Sequence, residues 1–190
     1  MAFDATLGSS DATSYVTVAE ADAIWANTLS DANWVALTTA QKESSLMAST
    51  QALEVLTFLG DRCNPATNDA AKQQRLQWPR SGGTCKGIMS ACSAIPLQVQ
   101  QACSYLALSL FNDPAAIIPG VPGIAPETGP IKKQKLGEME QEYFSPADMG
   151  QKVDVSAPIV LQKFPWLTDV LSCWLSGTYG SSKILLRVRS

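Results

Sequence analysis

Ile95-Pro96-Leu97-Gln98-Val99-Gln100-Gln101-Ala102-Cys103-Ser104-Tyr105-Leu106-Ala107-Leu108-Ser109-Leu110-Phe111-Asn112-Asp113-Pro114 is the stretch that decides the fold class. Val99, Ala102, Cys103, Leu106, Ala107 and Leu110 alternate spacings of three and one, which places them on one face of a helix. Pro96 suits the first helical turn, where a missing N–H costs nothing. Asn112-Asp113-Pro114 ends the helix, because the residue before a proline is pushed out of the α region. A stripe of this length has to be covered by other elements, and cysteine on it acts as a small hydrophobe.

The flanking sequence supplies more helices. Thr17-Val18-Ala19-Glu20 is a capping box, in which threonine and glutamate satisfy two orphan backbone donors reciprocally. Ala21, Ile24, Trp25, Thr28 and Leu29 follow as a mostly apolar stripe. A second helix starts near Thr38 with Gln41 in the box position. It runs through Leu46, Met47, Thr50, Leu53 and Leu56 to Gly60, read as its C-terminal cap. Pro165 opens a further helix with the stripe Leu167, Val170, Leu171, Trp174 and Leu175, closed by Gly177. The expectation is a mainly α chain, a small bundle of about four helices in one domain over residues 1–190.

Between the bundle helices the character changes. Residues 114–130 hold five prolines and three glycines, which reads as a long loop or arm. Lys132-Lys133-Gln134-Lys135-Leu136-Gly137 then meets Glu138-Met139-Glu140-Gln141-Glu142-Tyr143. Alternation around a glycine predicts a β-hairpin insertion over 131–144, with one basic strand and one acidic strand, rather than a helix. Opposite charges across the strands help set the pairing. Residues 176–190 form an extended C-terminal arm. Its end, Ile184-Leu185-Leu186-Arg187-Val188-Arg189, either packs on its own domain or adds a strand to a partner.

Composition narrows the function. Charged residues are 16% of the chain, well below the usual quarter, which suggests uncharged surface covered by partners. There is no histidine, so Ser-His-Asp and Cys-His nucleophile systems and His-ligated zinc are excluded. The net charge of −3 argues against a general nucleic-acid binder. It is unevenly spread: residues 1–60 carry −6, residues 61–135 carry +4 and residues 136–190 carry −1. A positive middle between negative flanks fits head-to-tail contacts between copies, or plain scatter over a solvated surface. No apolar run is long enough to cross a membrane. The first residues lack the basic, then apolar, pattern of a secretory signal. Cys63, Cys85, Cys92, Cys103 and Cys173 are odd in number and form no C-x-x-C pair, so no disulfide framework is expected and a reducing cytoplasm is inferred.

No constellation carries catalysis, a metal or a cofactor. Ser81-Gly82-Gly83-Thr84-Cys85-Lys86-Gly87 lacks the order of a phosphate loop and reads as a mobile loop. Cys85 beside Lys86 has no evident base. Glu138, Glu140 and Glu142 alternate with lysine neighbours as a solvated face does. Trp78 next to Arg80, with Arg75 and Lys86 nearby, offers a stacking platform for single strands or an anchor for a helix end in the core.

The order of the motifs is more informative. Ser14-Tyr15-Val16-Thr17-Val18-Ala19-Glu20-Ala21-Asp22-Ala23, then Trp34-Val35-Ala36-Leu37-Thr38 with the helix from Lys42, then Gln77-Trp78-Pro79-Arg80-Ser81-Gly82, Ile95-Pro96 with Val99 and Ala102, and the basic–glycine–acidic hairpin follow one another. Taken together they resemble the head-to-tail connector, or adaptor, family of tailed bacteriophages, often labelled DnaT-like single-stranded-DNA-binding proteins. That resemblance implies a structural virion protein at the head–tail junction, assembled in the host cytoplasm. It implies a homo-oligomeric ring of about twelve copies under the portal protein, extending the DNA channel and docking the next tail or neck component. Genomic double-stranded DNA passes through without specific binding, no membrane is involved, and no reaction is catalysed. Trp78, Pro79, Arg80, Lys132, Lys133, Lys135, Glu138, Glu140 and Glu142 become subunit-interface candidates. Ile184, Leu185, Leu186, Arg187, Val188 and Arg189 become portal-docking candidates. The label itself keeps single-strand binding as the alternative.

Overall fold

The computed structural model describes residues 2–29, 31–64, 73–114, 131–135, 140–143 and 158–176. It is mainly α with a β-hairpin. Six helices occur among these residues: α1 Val18–Trp25, α2 Asp31–Val35, α3 Thr39–Leu53, α4 Leu97–Asn112, α5 Ile159–Lys163 and α6 Trp166–Leu171. The strands form three antiparallel pairs: β1 Asp61–Arg62 with β2 Arg80–Ser81, β3 Thr84–Cys85 with β4 Ile88–Met89, and β5 Ile131–Lys135 with β6 Glu140–Tyr143.

α4 is the central element, as its stripe predicts. Val99, Ala102, Cys103, Leu106, Ala107 and Leu110 are all buried, with Pro96 as N-cap and Asp113 as C-cap. Its most extensive contact is with α3, which buries Leu46, Ser49, Thr50, Ala52 and Leu53. At the centre of this contact Cys103 stays a free thiol, 3.1 Å from Ser49 Oγ and 3.4 Å from Thr50 Oγ1. Both capping boxes form: Thr17 with Glu20, and Thr38 with Gln41.

Three helix boundaries differ from expectation. α1 stops at Trp25, and Leu29 lies fully exposed beyond it. Trp25 stacks on Trp34 at 5.9 Å, and α2 turns the chain to bring that ring in. α3 stops at Leu53, seven residues before Gly60. Val55, Thr57 and Phe58 favour extended backbone there, and Phe58 forms a β-bridge with Leu175. Gly60 is a turn glycine at φ 79°, and a side chain would run into the Ser81 carbonyl and sit 2.6 Å from the Gly83 nitrogen. The helix expected from Pro165 begins there as α6 but stops at Leu171, and α5 is a separate short helix before it. Trp174 and Leu175 are buried, as the stripe requires, but in the turn and bridge after α6.

Candidate functional site

The Gln77–Ser81 block sits where three parts of the chain meet: the end of α3, the β1–β2 pair and the segment after α6. The Trp78 ring is 1% exposed and meets Phe58 at 5.6 Å and Trp174 at 5.7 Å, both edge-on. Pro79 is buried beside it, after a cis peptide bond. The polar side chains of the block are used to hold backbone. Gln77 N–H donates to Glu54 Oε1 (2.8 Å), and its side-chain amide donates to the carbonyls of Glu54 and Leu56, both at 2.6 Å. Arg80 donates to the Leu59 carbonyl at 3.0 Å and to the Gly60 carbonyl. Tyr15 O–H reaches the same Glu54 oxygen. Burial, with Glu54 alongside, pushes the Tyr15 phenol well above its ordinary range.

A second layer supports the block. Arg62 donates to the carbonyls of Gln74, Arg75 and Leu76. The buried Gln74 amide donates to the carbonyls of Leu76 (2.7 Å) and Pro79 (3.0 Å). These contacts hold an otherwise irregular stretch without a helix or a long sheet. Sequence reading passed over Gln74, Glu54 and Arg62, because no local pattern marks a polar side chain that holds distant backbone groups.

This geometry corrects several expectations. Trp78 belongs to its own protomer's core, so it is unavailable both to a neighbouring copy and to nucleotide stacking, which needs an exposed ring face. Arg80 is half-buried and occupied by carbonyls of its own chain. The 81–87 stretch, expected to be a mobile loop, holds the end of β2 and then the first strand and turn of the tight β3–β4 hairpin. Lys86 (φ 49°) and Gly87 (φ 83°) both adopt positive φ, as a two-residue turn of this kind demands.

The cysteine expectation is overturned. Cys63 bonds Cys92 and Cys85 bonds Cys173, with Cα atoms 5.5 and 5.1 Å apart, inside the bridging range. The odd count hid two pairs plus one core thiol. The inference of a reducing compartment thereby loses its premise. The reading of Cys85 as an activated thiol falls with it. The Cys85–Cys173 bridge ties β3 to the segment after α6, next to hydrogen bonds from Leu59 N–H to Trp174 O and from Ser176 N–H to Thr57 O, both 2.8 Å.

The hairpin forms as predicted. Lys133 stands opposite Glu142 and Lys135 opposite Glu140 in an antiparallel register, with Lys132 at a one-residue irregularity between Ile131 and Lys133. Glu138, the 115–130 stretch and the arm from 177 onward, including Ile184, Leu185, Leu186, Arg187, Val188 and Arg189, lie outside the described residues. The structure therefore separates the two candidate groups: Trp78, Pro79 and Arg80 stand at the core, and the lysines and glutamates stand on a ribbon paired with itself.

At the other end of the bundle, Asp22 collects Trp34 Nε1–H at 2.7 Å and Lys42 Nζ at 2.8 Å. Burial alone would raise this carboxyl, but the two donors outweigh it and hold it below its ordinary value. The Lys42 ammonium also lies 5.4 Å from the Trp34 ring centroid. Conspicuous charges here again serve the protomer.

No curated protein and no solved structure matches the chain. The sequence model of one family, described as "Putative DnaT-like ssDNA binding protein", matches residues 1–184. The chain belongs to that family.

Proposed function

We propose that this family member is a structural subunit of the head-to-tail connector of a tailed phage. In this reading about twelve copies form a ring under the portal protein, extend the DNA channel and dock the next tail component. The observation that carries the proposal is the division of the molecule. One helical core consumes its aromatic and polar motifs internally, and among the described residues a charged two-strand ribbon pairs only with itself. A chain built this way has a rigid body and an element left over for neighbours. The two disulfides also suit a protein that ends in a particle outside the cell, where such bonds persist.

The family description favours a second reading, single-stranded-DNA binding. The positive charge of residues 61–135 supports it, and the burial of Trp78 weakens it by removing the candidate stacking ring. Two measurements divide the readings. Quantitative mass spectrometry of purified tailed particles should find about twelve copies per particle, and absence from the particle overturns the connector. Affinity for oligonucleotides that falls steeply with salt would instead establish the strand binder.

A further inference from the structure

The β5–β6 ribbon has two outer edges. Among the described residues β5 pairs with β6 alone, and neither strand packs extensively on a helix. Such an edge is a row of backbone donors and acceptors ready to take another strand. The two edges are chemically opposite. β5 carries Lys132, Lys133 and Lys135 and no acid, whereas β6 carries Glu140 and Glu142 and no base. Their register sets Lys133 level with Glu142 and Lys135 level with Glu140.

This asymmetry decides how two copies can meet. Pairing β5 with a second β5 sets lysines level with lysines, and pairing β6 with β6 does the same with glutamates. Like charges directly opposite are unfavourable in a ladder. Pairing β5 with a neighbour's β6 sets the lysine row beside Glu140 and Glu142. That contact joins two different surfaces, so it leaves a free β5 at one end and a free β6 at the other. Repeated, it closes into a ring if the rotation allows.

We propose that the ribbons of adjacent copies pair edge to edge, β5 of one against β6 of the next. The occupant of each edge is a second copy of this chain. The inference rests on the ring reading above and supplies its direction and its contact. Each joint is short, so its backbone hydrogen bonds and charge pairs contribute modestly, and closure of the ring multiplies them.

The test uses the full chain at low salt, with sedimentation velocity and native mass spectrometry as readouts and helical circular dichroism as the control. The wild type should self-associate. Lys133→Glu with Lys135→Glu makes both strands acidic, and Glu140→Lys with Glu142→Lys makes both basic. Each variant alone should associate about tenfold more weakly or worse, the equivalent of a few lost charge pairs. An equimolar mixture should recover association, because acidic ribbons then alternate with basic ones. Because each reversal also sets like charges level within its own ribbon, Lys133→Gln with Lys135→Gln is measured beside it and should weaken association in the same direction.

A wild type that stays monomeric, variants that associate normally, or a mixture that stays apart would each overturn the edge pairing. The connector reading fails separately. A monomeric chain present at about twelve copies per particle keeps the connector and removes the ribbon joint. A self-associating chain absent from particles does the reverse.

Discussion

The Gln77–Ser81 block and the 131–143 ribbon are the two most conspicuous motifs of this chain, and they behave in opposite ways. The block looks exposed on paper, with tryptophan, proline and arginine in a row. In the fold Trp78 is almost wholly buried, and Gln77 and Arg80 donate to carbonyls of α3's end and of the β1 approach. The ribbon looks equally self-contained, since its lysines and glutamates match across the strands. Yet its pairing leaves both outer edges without a partner strand among the described residues. A striking residue pattern therefore says little about whether it faces inward or outward. What decides is whether the polar groups around it are consumed locally.

The largest effect of any single side-chain change should come from removing the block's aromatic centre. Trp78→Ala deletes a ring held between Phe58 and Trp174, and large-to-alanine changes in cores cost about 3–5 kcal/mol. Denaturant unfolding should show that loss. A cost below about 0.5 kcal/mol, the level of an ordinary surface change, would break the contrast by showing that the block is peripheral.

Reduction of the disulfides comes next. The Cys63–Cys92 and Cys85–Cys173 bridges close loops of 29 and 88 residues by sequence separation. Loop entropy of that size corresponds to about 3.6 kcal/mol for the shorter loop and about 4.6 kcal/mol for the longer. A reductant should lower the unfolding midpoint, and intact mass after alkylation in denaturant without reductant should show one labelled thiol, Cys103. Label on both Cys85 and Cys173 would show that the C-terminal segment is held by packing and hydrogen bonds alone.

A smaller, pH-dependent effect reports on the same polar lock. The Tyr15 phenol is raised by burial and by Glu54. Its unfolded counterpart titrates near pH 10, to within about a unit. Below that pH both states are protonated and the contribution is intact. Above it the unfolded chain loses the proton first, so stability falls as pH rises, by up to about 1.4 kcal/mol per pH unit. The raised Cys103 thiol, shifted mainly by burial, adds a slope of the same sign from its own unfolded value upward. Tyr15→Phe should cost about 1 kcal/mol at neutral pH and flatten the alkaline fall. An unchanged alkaline slope in Tyr15→Phe would place the sensitive group elsewhere.

What was legible in the sequence followed local rules. The α4 stripe, the two capping boxes and the alternating hairpin each depend on residues a few positions apart, and each formed where its spacing put it. What was not legible depended on distant partners. α3 ends early because Phe58 pairs with Leu175, over a hundred positions away. Gly60 looked like a cap because caps and tight turns use the same residue for the same positive φ. The disulfides were invisible because sequence spacing does not give pairing. Arg80 was visible as a charge, but its three backbone-holding neighbours, Gln74, Glu54 and Arg62, carry no sequence signature. The hairpin's pairing was readable from alternation, whereas what meets its outer edges depends on the fold around it.

The smallest expected effect sharpens the contrast most. The ribbon charges sit on strands that pair with each other, so their removal should hardly touch the core. Lys135→Gln with Glu140→Gln neutralises one register pair. Opposite charges set level across two strands contribute about 0.2–1 kcal/mol. Unfolding of the protomer at high salt, where edge contacts between copies are screened, should therefore match the wild type. Association at low salt should still weaken, because each joint between copies loses one of its opposed charges on either side. A stability loss comparable to that of Trp78→Ala would mean that the ribbon is folded onto the bundle as a structural strap. The two motifs would then differ in position but serve the same purpose. Unchanged stability with weakened association would assign the block to holding one copy together and the ribbon to joining copies.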